Sequence, residues 1–84
     1  MFNFKVVMAG VYQSGTDWEE PQAMFLSLSD AKWYLASKYL ETITIGRGAI
    51  GVASTWFHPN GTSWCVDLDD GEQISASIEG EELS

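Results

Sequence analysis

Residues 27–42 read SLSDAKWYLASKYLET, the one segment that breaks an otherwise two-residue alternation along the chain. Ser27 followed three residues later by Asp30 is a capping pattern: the serine hydroxyl satisfies an orphan N–H and the acid suits the positive end of the helix dipole. Leu28, Ala31, Leu35 and Tyr39 then recur at helical spacing. This predicts a helix over about residues 28–41, ending near Glu41 where β-branched Thr and Ile take over.

Outward from that helix the pattern is that of strands. Phe2, Phe4, Val6 and Met8 alternate with Asn3 and Lys5, and the short apolar run AMFLSL (23–28) can pair back on them. Ile43 and Ile45 alternate with Thr42 and Thr44, and Ile50, Val52 and Trp56 fall on one face of 49–57. Trp64, Val66 and Leu68 alternate likewise, as do Ile74, Ala76 and Ile78. HPNGT (58–62) and DDG (69–71) carry the Asn-Gly and Asp-Gly dipeptides that supply positive φ in tight hairpins. The expected fold is therefore α+β: a single α-helix packed on an antiparallel sheet of about five strands, with a C-terminal meander. Residues 1–84 form a single domain, with a polar loop at QSGTDWEEPQ (13–22) and a frayed acidic tail at EGEELS (79–84).

At 100° per residue, Leu28, Ala31, Leu35, Ala36, Tyr39 and Ile43 make one stripe, and Trp33 and Leu40 extend it to one side. That arc is wider than a helix lying on one sheet needs. Two readings stand open: a twisted sheet or the 13–22 loop wraps over Trp33 and Leu40, or they form an exposed patch for a partner or a homodimer.

With 84 residues, 45% hydrophobic and four of them Trp, the chain can bury one modest core without disulfides or a metal. Its single cysteine, Cys65, has no internal partner and no secretory signal is visible, which points to the cytoplasm. The apolar start VVMAGV is six residues long, against roughly 20 needed to span a bilayer. Net charge is −8: residues 1–30 hold one Lys against four acids, 31–66 three bases against one acid, and 67–84 seven acids and no base. Such a chain is repelled by nucleic acid and anionic lipid, and attracted to a basic protein surface.

Four acids, Asp67, Asp69, Asp70 and Glu72, crowd the stretch WCVDLDDGEQ (64–73). Against a calcium loop, Gly71 falls where the third acid belongs and Glu72 where the glycine belongs. A glycosidase-like carboxylate pair needs a cleft that raises one pKa, and a hairpin tip is hydrated. His58 sits in a turn beside Pro59, with no nucleophile in a recognised motif near it. One His and one Cys cannot hold zinc. Cys65, between Trp64 and Val66, belongs to the other sheet face. GRGAIG (46–51) matches G-x-G-x-x-G in letters, but it leads into a strand pattern, AIGVASTWF, where the fingerprint requires a helix. Asn60-Gly61-Thr62 fits the glycosylation pattern and is better read as a turn. No catalytic residue, metal or cofactor is expected.

The segments SLSDAKWYLASK and NGTSWCVD, within residues 24–67, resemble small phage-encoded anti-CRISPR proteins in which one helix packs on an antiparallel sheet. The resemblance implies a stoichiometric, non-enzymatic inhibitor that covers the surface a CRISPR effector complex uses for target DNA. From the residues themselves, Asp67, Asp69, Asp70, Glu72, Glu79, Glu81 and Glu82 read either as a solvated face that keeps a small domain soluble or as the contacts to a basic partner, acting as a DNA mimic. Trp33, Trp18 or Tyr34 would be aromatic anchors. The alternative is a homodimeric structural or regulatory adaptor joined through Trp33 and Leu40.

Overall fold

The computed structural model describes residues 2–49 and 51–82, with side chains described for 3–44 and 51–80. In chain order the elements are β1 (Phe2–Val11), β2 (Asp17–Phe25), α1 (Leu28–Ala49), β3 (Val52–Phe57), β4 (Ser63–Leu68) and β5 (Gln73–Glu82). The strands form one sheet in the order β2-β1-β5-β4-β3, antiparallel at every pairing. This is the α+β fold read from the sequence. The meander β3-β4-β5 is present, and β5 closes the sheet by pairing with the N-terminal strand along its whole length. No helix among the described residues is long and apolar enough to cross a membrane.

The core lies between α1 and one face of the sheet. Ala31 and Leu35 from the helix meet Val6, Trp64, Val66, Leu68 and Ala76 from the central strands. The alternation in β4 places Trp64, Val66 and Leu68 inward, and all three are buried. Trp64 also donates its indole Nε1–H to the Leu35 carbonyl at 2.9 Å, tying β4 to the middle of the helix. The rings of Tyr39 and Trp64 meet edge to face at 5.7 Å. The turns follow their sequence chemistry: Gly61 and Gly71 have φ of +77° and +92°, and Asn60 Oδ1 accepts from the Thr62 N–H at 3.0 Å.

Four sequence expectations are corrected. The helix continues past Glu41 to Ala49. Thr42 and Thr44 donate their hydroxyls to the Lys38 and Leu40 carbonyls at 2.8 and 2.7 Å, so two β-branched residues fit into the helix. Ile43 packs on the core at helical spacing from Tyr39. The expected loop 13–22 shrinks to a short turn over residues 12–16, because β2 begins at Asp17 and pairs with β1. Residues 79–82 of the expected frayed tail are strand, paired with Phe2 to Lys5. Trp56 lies opposite Cys65 rather than on the core side with Val52, because the register shifts between Val52 and Ser54 and a bulge at Ala53 turns the strand over. Ile50 lies outside the described residues.

Among the described residues, nothing wraps over the helix flank at Trp33 and Leu40. They are 74% and 60% exposed, so neither the sheet nor a loop covers them.

Candidate docking surface

A helix on one face leaves the other face of the sheet uncovered. Residues paired across an antiparallel sheet share a face, so the ladder registers assign its rows. One row runs Asp17, Val11, Gln73, Asp67, Ser54 across all five strands. The next runs Glu19, Ala9, Ser75, Cys65, Trp56. Just beyond the first row, the β4–β5 turn carries Asp69, Asp70 and Glu72. Six carboxylates thus gather at one end of the open face. Adjacent strands lie roughly 4.8 Å apart, which puts Asp17 roughly 14 Å from Asp67.

Local hydrogen bonds fix several of these acids. Asp67 accepts from Ser54 Oγ at 2.9 Å and from Gln73 Nε2 at 3.0 Å, one on each oxygen. Asp70 Oδ1 accepts from the Glu72 N–H at 2.9 Å, and the turn is closed by bonds from Leu68 N–H to the Glu72 carbonyl and from Gly71 N–H to the Leu68 carbonyl. Asp69 N–H donates to the Gly51 carbonyl at 3.1 Å. Gly51 has a φ of +100°, and a Cβ there would run into the Asp69 carboxylate, so the glycine lets the chain leave α1 beneath this turn. Of the G-x-G-x-x-G letters, Gly46 and Gly48 therefore lie in the helix and only Gly51 makes the turn. That is the reverse of a phosphate cradle, in which a strand leads into a helix.

A shallow concavity of about 470 Å³ lies between the first two rows, lined by Asp17, Glu19, Gln73 and Ser75 over Ala9 and Val11. Trp18 lies across Gly10, whose absent side chain makes room: a Cβ there would stand 2.8 Å from the indole and clash with the Gln73 carbonyl. Among the described residues, no group of three or more His, Cys, Asp or Glu is placed to hold a metal ion.

The other expected contacts fall elsewhere. Glu79 sits six residues along β5 from Gln73, roughly 20 Å away, and pairs in register with Lys5. The side chains of Glu81 and Glu82 lie outside the described residues. Trp33 and Leu40 stand on α1, on the opposite side of the sheet from the acidic rows. Tyr34 packs against Phe25 with ring centroids 5.4 Å apart. Trp56, 53% exposed, is the aromatic residue that shares the open face with the acids, and its ring meets His58 at 5.5 Å. Asp17, Glu19 and Trp56 are members of this surface that the sequence reading misses. The alternation of Asp17 and Glu19 about Trp18 is the signal that marks the first two.

No protein-family model, curated protein or solved structure matches this chain.

Cys65 lies on the open face, as its position between two inward residues requires. Burial pushes its thiol above the ordinary value, the Asp67 carboxylate adds to the rise, and a hydrogen bond with Gln73 works against it. An unfolded thiol ionises at about pH 8.5. Above that pH the unfolded chain gives up a proton that the folded chain keeps, so stability falls as pH rises. Thermal melts from about pH 8 to about pH 10 should show a smaller loss in Cys65→Ser than in the wild type. Equal losses would mean that the thiol does not sit in this environment.

Proposed function

We propose that this chain is a stoichiometric, non-enzymatic inhibitor that docks its acidic sheet end on a basic, nucleic-acid-binding protein surface and excludes the nucleic acid. One observation supports it above the rest: Asp17, Glu19, Asp67, Asp69, Asp70 and Glu72 converge on an uncovered face, and the nearest described Lys or Arg on that face is Lys5, two rows beyond Glu19. Local hydrogen bonds hold Asp67 and Asp70 in place before a partner arrives, which lowers the ordering cost of binding. Trp56 provides an exposed aromatic anchor on the same face. The sequence resemblance names the target to try first, a CRISPR effector complex in the bacterial cytoplasm.

The experiment is a competition. Purified effector–guide complex is mixed with labelled target duplex, and DNA binding is followed by anisotropy as this chain is added. Inhibition should saturate near one chain per site and weaken as salt rises. Inhibition that grows with time at substoichiometric chain would overturn the non-enzymatic reading, and no effect on any effector class would remove the CRISPR target.

A second reading, a homodimeric adaptor, draws on the exposure of Trp33 and Leu40. Trp33 and Ala36 line a groove of about 350 Å³ with Phe57 of β3, which brings the helix flank next to the sheet edge.

A further inference from the structure

The two edges of the sheet are built differently. β2, at one end, has the sequence DWEEPQAMF, with three acids and a proline. These are the features that stop an edge from pairing with another strand. β3, at the other end, is VASTWF, with no charge and no proline. It is exposed along nearly its whole length, in a chain of net charge −8.

The backbone of β3 has groups to offer. His58 N–H donates to the Ser63 carbonyl at 2.9 Å, closing the β3–β4 hairpin. Hydrogen-bonded and non-bonded pairs alternate along an antiparallel ladder. Trp56 therefore bonds toward β4, and the N–H and C=O groups of Thr55 and Phe57 point to the free edge.

We propose that two copies of this chain join edge to edge through β3, antiparallel about a two-fold axis at Thr55, into one ten-stranded sheet. The axis follows from the geometry. Paired residues must share a face, so the axis passes through a residue rather than between two. Axes at Thr55 and at Trp56 both engage the outward groups of Thr55 and Phe57, whereas an axis at Ser54 would leave Phe57 beyond the pairing and an axis at Trp56 would set two bulky indoles directly opposite each other. The Thr55 axis also sets large residues opposite small ones, Trp56 against Ser54 of the second copy and Phe57 against its Ala53.

Charge favours a second copy as the occupant. The Ser54 end of β3 lies beside Asp67 and Asp69, through the Ser54–Asp67 hydrogen bond and the Gly51–Asp69 contact. The Phe57 end leads to His58 and to Gly61, where the Lys32 side chain lies 3.7 Å from the Cβ position. An antiparallel two-fold sets the acidic ends of the two copies at opposite ends of the joint, so their carboxylates do not meet. The same uncharged strand thus meets its own copy with no acid at the joint. The inference is independent of what the acidic face binds.

Sedimentation equilibrium over a wide range of protein concentration tests it. The wild type should run as a dimer that dissociates on dilution, and Thr55→Lys as a monomer with unchanged far-UV circular dichroism. Trp33→Ala should remain dimeric. Thr55→Cys in a Cys65→Ser background should oxidise to a disulfide-linked dimer, since hydrogen-bonded antiparallel partners have Cα atoms about 5.5 Å apart, within bridging range. A wild type that stays monomeric, a dimer that survives Thr55→Lys, or a dimer lost on Trp33→Ala would each overturn the β3 interface. The DNA competition reads the inhibitor proposal separately.

Discussion

Trp64→Ala is expected to destabilise the fold by about 3 to 5 kcal/mol, the range for truncating a large buried aromatic. A domain of 84 residues has roughly 4 to 13 kcal/mol in total at ordinary stability per residue. This one substitution therefore removes a large part of it. Trp64 is 1% exposed and is the largest of the fully buried side chains, standing between the helix and the middle of the sheet. Its loss opens a cavity under Leu35, removes the edge-to-face contact with Tyr39 and deletes the bond to the Leu35 carbonyl. Trp64→Phe keeps an aromatic ring there and should cost less, about 1 kcal/mol for the lost hydrogen bond plus the smaller void. Urea unfolding followed by far-UV circular dichroism reads both as lower midpoints at unchanged slope. A Trp64→Ala midpoint close to that of the wild type would mean that α1 does not rest on β4 as described.

The parts of the fold legible in the sequence are those governed by neighbours in the chain. Asn60-Gly61 and Asp70-Gly71 mark turns because glycine at positive φ is a local requirement. The inward face of β4 is legible because Trp64, Val66 and Leu68 leave no choice of side. The errors arise where a hydrogen bond or a strand pairing overrides the bare residue pattern. Thr42 and Thr44 read as strand residues until their hydroxyls bond back to the preceding turn. Asp17 to Gln22 read as loop because an edge strand needs no apolar alternation, and it carries the charge and proline that also mark loops. The bulge at Ala53 leaves no trace in the residue pattern, so simple alternation puts Trp56 on the wrong face. The same division holds for the candidate site. Asp67, Asp69, Asp70 and Glu72 are neighbours in sequence and can be picked out together. Asp17 and Glu19 join them only through the pairing of β2 with β1, β1 with β5 and β5 with β4.

That pairing sets the second large effect, on binding. Replacing Asp67, Asp69 and Asp70 with Asn and Glu72 with Gln should weaken docking on a basic target roughly a hundredfold. At about 0.7 kcal/mol for each exposed ion pair lost, four losses make about 3 kcal/mol, or two powers of ten in Kd. The substitutions keep the shape of each side chain. After Asp70→Asn the side-chain carbonyl can still accept from the backbone N–H of residue 72, so the turn is retained and the change is one of charge. Adding Asp17→Asn and Glu19→Gln should weaken binding further. Asp17 lies roughly 14 Å from Asp67, beyond the Debye length of about 10 Å at 0.1 M salt, so its charge contributes nearly independently of the turn. Glu79→Gln alone should change little, since Glu79 stands at the far end of β5 beside Lys5. The salt dependence of binding should flatten in step with the number of acids removed. Full inhibition by the four-acid variant would end the acidic docking mode. A loss confined to the turn substitutions, with none from Asp17 and Glu19, would limit the contact to the hairpin tip and exclude the rows of the open face.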